Sequence, residues 1–176
     1  MSDSKISEEI LYRGRVLDLA RETHRMPDNR EADFEVVRHS GGAAALPILA
    51  DGRLILIRQF RPAIGDHILE IPAGRLEAGE DAAACVAREL QEEIGYRPGS
   101  LEKLGEIYST VGFSNELIHL YLARELEPVE RALEPDEFIE LQVMSLDEAL
   151  QLVKSGALRD AKTCVTLLHY KLLSEK

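Results

Sequence analysis

The chain has 176 residues, 45% of them apolar and 30% charged, which suits one globular domain with a core of its own and argues against a disordered or fibrous chain. Lys and Arg number 21 against 32 Asp and Glu, and the net charge of −11 opposes any general attraction to nucleic acid or to an anionic membrane. A polyanionic substrate would need a bound cation to approach such a surface. No apolar run approaches the roughly 18 residues of a membrane span, and the opening MSDSKISEEILYRGR lacks the apolar core of a signal peptide, so a cytoplasmic location is expected. Cys85 and Cys164 have no metal-type spacing and read as buried free thiols rather than a disulfide.

Residues 1–10 read as a poorly fixed polar terminus. From Arg13 the text becomes strand-like, with Val16, Leu17 and Leu19 and then Phe34 to His39 on either side of the turn-forming Met26-Pro27-Asp28-Asn29, which predicts a hairpin. The corner His39-Ser40-Gly41-Gly42 leads into Ala43 to Leu49, and Asp51-Gly52 joins that run to Leu54 to Phe60. Both runs are short and continuously apolar, as expected of strands buried on two faces. Ile68 to Ile71 follows, then Pro72-Ala73-Gly74 and a helical stretch rich in glutamate. Beyond it, Leu101 to Ser109 and Leu117 to Ala123 read as strands with Thr110 to Glu116 as a loop between them, and the acidic Glu125 to Asp136 as a loop ahead of a strand at Phe138 to Met144. Ser145-Leu146-Asp147-Glu148 has the capping-box spacing that opens a helix, Gly156 closes it, and Ala161 to Leu173 reads as a terminal helix. There is no internal repeat, and the order of elements predicts a mixed sheet between helices.

The organising stretch is Gly74 to Tyr96, GRLEAGEDAAACVARELQEEIGY. Ala83, Val86, Ala87, Leu90 and Ile94 recur three or four residues apart, which predicts one apolar helical stripe stopped by Gly95 and Pro98. At 100° per residue Glu89, Glu92 and Glu93 share a second face beside that stripe. Like charges at this spacing destabilise a helix by a few tenths of a kcal/mol. A hard divalent cation with oxygen ligands would reverse the sign of that effect, whereas three glutamates taken alone would read as a solvated acidic face.

Seven fixed positions, Gly74, Glu80, Arg88, Glu89, Glu92, Glu93 and Gly95, should coincide by chance on the order of once in 10⁸ starts. The stretch resembles, without a gap, the Nudix hydrolase signature G-x5-E-x7-R-E-U-x-E-E-x-G-U, where U is a bulky apolar residue, with Tyr96 at the last U. Further blocks, Ile57-Arg58-Gln59-Phe60-Arg61-Pro62, Leu69-Glu70-Ile71-Pro72-Ala73-Gly74, Gly112-Phe113-Ser114-Asn115-Glu116 and Ile118 to Ala123, resemble the ADP-ribose pyrophosphatase branch of that family. That branch usually carries Pro where this chain has Val111, sixteen residues past Gly95, which leaves the substrate less fixed than the reaction class.

The resemblance implies an α/β fold, a Nudix-type α/β/α sandwich with a mixed sheet and an N-terminal β-hairpin extension. It implies divalent-metal-dependent hydrolysis of a nucleoside diphosphate-sugar, ADP-ribose giving AMP and ribose 5-phosphate, with Mg²⁺ as cofactor and Mn²⁺ as a possible substitute. Ala73 through its carbonyl, Glu89, Glu92 and Glu93 are the implied metal ligands. Gly74, Glu80, Arg88 and Gly95 are implied structural supports. The implied general base is Glu137, with Glu134 second, on the loop before the last strand, while Glu92 completes the catalytic carboxylates. Arg58 and Arg61 are candidate phosphate clamps and Glu70 a candidate substrate contact, each with an ordinary structural role as the alternative. Phe34 is a candidate for stacking on a base, and His119 reads as a packed strand residue.

The branch is typically homodimeric through its N-terminal strands, which implies residues 1–40 as a dimerisation segment and 41–176 as the hydrolase domain. The alternatives are hydrolysis of another nucleoside diphosphate compound, such as a GDP- or UDP-sugar or a dinucleoside polyphosphate, and a non-catalytic nucleotide-binding domain on the same scaffold. Relatives of the second kind generally lose one of the signature glutamates, and none is lost here. Neither nucleic acid nor membrane is an expected partner.

Overall fold

The structure, a computed structural model, describes residues 4–133 and 138–175. The chain divides into two compact units, one running to Gly41 and including Tyr108–Leu117, the other comprising Gly42–Ile107 and the chain from Ile118 onward.

In the first unit, β1 (Lys5–Arg13), β2 (Asp18–Arg25) and β3 (Glu31–Arg38) form an antiparallel sheet in that order. The predicted turn between β2 and β3 is present, closed by Met26 and Arg30, with Asn29 at a positive φ of 65°. The expectation of a poorly fixed terminus is corrected for residues 5–10, which belong to β1. Their order comes from partners distant in sequence. Arg21 meets Glu9 at 3.2 Å, Arg38 meets Glu8 at 3.5 Å, and Glu22, buried, gathers His24 at 2.8 Å, Lys5 at 3.8 Å and Arg38. The 110–116 loop is tied to the end of β3 by Val37 N donating to Phe113 O at 2.7 Å and Asn115 N donating to Val37 O at 3.2 Å.

The second unit is built on β4 (Gly42–Pro47) and β5 (Leu54–Arg61), the two continuously apolar runs. β6 (Asp66–Glu70), β7 (Ala73–Arg75), β8 (Tyr96–Tyr108), β9 (Leu117–Pro128) and β10 (Ile139–Met144) complete two sheets, ordered β7-β4-β9-β8 and β10-β5-β6. β4 runs parallel to β9 and antiparallel to β7, so the first of these sheets is mixed. Past the bridge Ile48–Leu54 the Asp51-Gly52 turn delivers β4 and β5 into different sheets.

Because side chains alternate along a strand, each buried run feeds two cores. Ala43, Ala45, Ile55, Ile57, Tyr121 and Ala123 pack with Val86, Leu90 and Ile94 on one side. Ala44, Leu46, Leu54, Leu56, Leu120 and Leu122 pack with Ala149, Leu158 and Leu167 on the other. Helices therefore cover both faces. They are α1 (Ala82–Glu89) on the first side, and α2 (Leu146–Ser155) and α3 (Ala161–Ser174) on the second. α2 has the predicted capping box between Ser145 and Glu148, and Gly156 closes it in the left-handed region.

One buried charge cluster joins the sheet to α3. Glu70, 1% exposed, accepts from Arg61 Nε at 2.6 Å and Arg61 Nη2 at 2.8 Å and also contacts Lys162 Nζ. Burial pushes the Glu70 carboxyl upward, but the Arg61 hydrogen bonds and the Lys162 charge outweigh it and hold the group below the usual carboxylate range. A carboxyl lowered on folding adds stability that is present above its unfolded value of about 4.5 and is lost as pH falls through the folded value. Glu70→Gln should cost on the order of 3 kcal/mol near neutrality and should flatten the acid limb of a stability-versus-pH curve measured by urea unfolding. An unchanged acid limb in the variant would show that Glu70 carries none of that dependence.

Candidate active site

Asp81 caps α1, accepting from Ala83 N at 2.9 Å and Ala84 N at 3.3 Å. The predicted apolar stripe is present, with Val86, Leu90 and Ile94 buried against the sheets. The expectation of one regular helix is corrected: after Glu89 the backbone widens into a π turn, Leu90–Ile94, ended by Gly95 at φ 71°. The last carbonyls of a helix have no partner within it, and outside donors take them here. Ala132 N donates to Glu92 O at 3.3 Å, Arg131 Nε to Glu93 O at 2.6 Å and Val129 N to Gly95 O at 2.9 Å. A Cβ on Gly95 would lie 3.1 Å from Val129 O, so both its φ and this close approach favour glycine.

The π turn separates the fates of the three glutamates. Glu93, 2% exposed, turns inward and accepts from Ala73 N at 3.0 Å. Glu89 lies directly over Gly74, where a Cβ would come within 1.7 Å of its Oε1, so any larger residue there would displace that carboxylate. Glu92 is the most open, with 36% of its side chain exposed. Beneath them, β7 pairs Ala73 and Gly74 with Ala44 and Ala43 of β4, which fixes the floor of the site to the central sheet.

Arg88 binds the carboxylates to one another. Its Nε and Nη2 donate to the two oxygens of Glu80 at 3.1 and 3.3 Å, and its Nη1 donates to Glu89 Oε1 at 2.7 Å and Glu92 Oε2 at 2.9 Å. The Glu80 hydrogen bonds, more than the charges of Glu89, keep Arg88 protonated far above its ordinary range, and the Arg88 hydrogen bond in turn lowers Glu80. One positive group faces three negative ones, so the cluster keeps a net negative charge before Glu93 is counted. Cys85 lies behind it, its thiol 3.6 Å from Arg75 O and pushed by burial up to about 12, so it serves as a packed neutral thiol.

The structure thus brings Ala73, Gly74, Glu80, Arg88, Glu89, Glu92 and Glu93 into one cluster. Oxygen-only donors with excess negative charge fit a hard divalent cation. Among the described residues no three of these carboxylates converge at metal-binding distance, and the Arg88 guanidinium lies between Glu89 and Glu92. Arg61 is bidentate to Glu70, and it also feels the charge of Glu93. Arg58 is exposed, 3.7 Å from Glu140, and lines a surface cavity of about 450 Å³ with His67 and Arg159, which none of the signature glutamates lines. Glu134 and Glu137 lie outside the described residues. In the first unit, Phe34 meets His24 edge-on at 5.5 Å and lines a cavity of about 480 Å³ with Val111 and Phe113. His119 sits on β9 with its Nδ1 3.3 Å from Glu106.

Reading the sequence alone overlooks Arg131, Lys162 and Thr163. Arg131 bridges Glu93 O and Ile139 O, a backbone role with no side-chain signature. Lys162 does leave a trace, since a cation in the first turn of α3 opposes the helix dipole and calls for carboxylate partners.

Comparison with known proteins places this geometry. A model of the NUDIX domain matches residues 38–164. The ADP-ribose pyrophosphatase of Bacillus subtilis (strain 168) is 37% identical over 174 residues, covering 98% of this chain and 94% of its own. The methanol dehydrogenase activator of Bacillus methanolicus is 37% identical over 97% of this chain and 93% of its own. The GDP-mannose pyrophosphatase of Cronobacter sakazakii (strain ATCC BAA-894) is 38% identical over 82% of this chain and 84% of its own. A crystal structure described as an ADP compounds hydrolase shares the fold, with a TM-score of 0.86 at 18% identity over 99% of this chain and 95% of its own. The glutamate cluster on its glycine floor and the domain match across most of the chain agree: this chain belongs to the Nudix family.

Proposed function

We propose that the chain is a divalent-metal-dependent Nudix pyrophosphohydrolase that cleaves the diphosphate of a nucleoside diphosphate-sugar, with ADP-ribose giving AMP and ribose 5-phosphate. The observation that carries this reading is the convergence of Glu89 and Glu93 on the Ala73-Gly74 floor, with Glu92 joined to them through Arg88. Similarity to an ADP-ribose pyrophosphatase along nearly the whole chain supports the substrate. Similarity to a GDP-mannose pyrophosphatase supports a second reading, a GDP-sugar at the same site.

In this reading Glu89, Glu92, Glu93 and the Ala73 carbonyl would hold the cation, Mg²⁺ by preference for oxygen donors with Mn²⁺ as a substitute. When bound, it neutralises the diphosphate oxygens and lowers the pKa of water. Arg61, fixed by Glu70, presents positive charge to a phosphate. A water oxygen bonds to one phosphorus, the bridging P–O bond breaks, and the water's proton passes to a carboxylate. Glu137, with Glu134 as the alternative, is the base implied by the family resemblance, and Glu92 is the most open carboxylate of the described cluster. Arg88 and Glu80 hold the carboxylates in place.

We also propose a homodimer formed through the N-terminal sheet. Its edge strand β1 exposes Ile6, Leu11 and Tyr12, and an exposed apolar edge is a template for pairing with another strand. The free thiols of Cys85 and Cys164 agree with a reducing, cytoplasmic location. Among the described residues no helix is long and apolar enough to cross a membrane.

A panel of ADP-ribose, GDP-mannose, a UDP-sugar and a dinucleoside polyphosphate, assayed with Mg²⁺ and with Mn²⁺, tests the activity. ADP-ribose should turn over fastest, and Glu93→Gln should lower kcat by about 10²- to 10³-fold while the circular dichroism spectrum stays unchanged. Near-normal turnover in that variant would refute the assignment of ligands. Sedimentation at micromolar concentration should give a mass twice that of the chain, and a monomer there would remove the dimer.

A further inference from the structure

The segment from Glu70 to Gly74 is gripped at both ends. At one end Ala73 and Gly74 pair with β4, Pro72 O accepts from Ala45 N at 3.1 Å, and the Ala73 amide meets Glu93. The other end is held by the first turn of α3, which contributes nothing to the glutamate stretch. There Ile71 N donates to Thr163 Oγ1 at 2.8 Å, and both residues are fully buried. The same hydroxyl donates to Asp160 Oδ2 at 2.5 Å, so its one hydrogen and an acceptor site are both engaged and its orientation is set. Next to it Lys162, 9% exposed, contacts Glu70 Oε2 and lies 3.1 Å from Asp160 Oδ1.

A lysine there is a costly choice. It is buried, and it sits at the positive end of the helix dipole, so it persists only with carboxylates on hand. Asp160 and Glu70 supply them, one from the helix cap and one from the end of β6. The residues it fixes are next to those that face the glutamates. From Ile71 to Ala73 is two residues, about 7 Å of extended chain, so a shift at Ile71 reaches the Ala73 amide without room to dissipate.

We propose that Lys162 and Thr163 are positioning residues of the hydrolytic site, holding Glu70 and Ile71 so that the Ala73 amide meets Glu93 and Gly74 passes beneath Glu89. The assignment rests on the hydrolase reading above. It gives the terminal helix a part in the chemistry although no side chain of that helix belongs to the glutamate cluster.

Thr163→Val keeps the shape and removes the acceptor, and Thr163→Ser restores it. By amide hydrogen exchange on the protein without substrate or metal, Thr163→Val should exchange Ile71 and Ala73 at least about tenfold faster than wild type, with Thr163→Ser close to wild type. With saturating metal, kcat of Thr163→Val should fall about 10- to 100-fold while KM stays within about threefold, and Thr163→Ser should recover turnover. Lys162→Met should follow Thr163→Val in both measurements. Unchanged exchange at Ala73 in Thr163→Val would overturn the proposal, as would faster exchange with wild-type kcat. Exchange at Ala73 is read without turnover, so it judges this proposal even if the wild-type chain leaves ADP-ribose intact, a result that would remove the hydrolase reading alone.

Discussion

Four carboxylates, Glu80, Glu89, Glu92 and Glu93, crowd within one and a half turns of backbone and the loop before it, and the single guanidinium of Arg88 bridges three of them. Unscreened carboxylates at such separations repel one another by several kcal/mol at an intermediate dielectric of about 20. Arg88 relieves part of this and Ala73 N–H stabilises Glu93, yet the cluster stays negative overall. An excess of carboxylates over cations beside a glycine floor is poorly explained as scaffolding. The proposed seat for a cation accounts for it, with Arg88 gathering three of the carboxylates.

The π turn turns this local crowding into an organised site. Across it Glu93 turns inward to Ala73 while Leu90 and Ile94 stay in the core, and the carbonyls of Glu92 and Glu93, at the end of the helix, accept from Ala132 and Arg131. The segment 129–132 is thereby strapped to the same turn that bears the ligand candidates. On the far side, α3 grips Glu70 and Ile71. The floor and the glutamates are thus each held by parts of the chain remote in sequence, which is how a site on a short helix acquires fixed geometry.

Much of this was legible in the residues. The period-two partition of Ala43 to Leu46 and Leu54 to Ile57 into two cores follows from two uninterrupted apolar runs, the cap at Ser145 and the stop at Gly95 follow from types at fixed spacing, and the Glu80–Arg88 pair was implied by the family resemblance. What stayed hidden depended on partners distant in sequence. β1 looked like a polar tail because Glu8 and Glu9 find Arg38 and Arg21 only once the sheet forms. The π turn left the apolar stripe nearly unchanged, so periodicity did not reveal it. Arg61 has the residue type of a phosphate clamp, but only the fold shows that Glu70 holds two of its nitrogens. Thr163 looked like an ordinary helix residue and Lys162 left only its place against the helix dipole as a trace, since Ile71 and Glu70 lie 92 positions away.

The central claim concerns where a cation goes. Sub-stoichiometric Mn²⁺ added to the ¹⁵N-labelled protein reports this directly, because a paramagnetic ion broadens the amide signals nearest to it. Amides of Ala73 to Arg75 and Arg88 to Gly95 should broaden first, and excess Mg²⁺ should restore them. Uniform broadening, or broadening that begins on the acidic stretch from Glu125 to Glu130 and spares Ala73 and Glu93, would contradict the account.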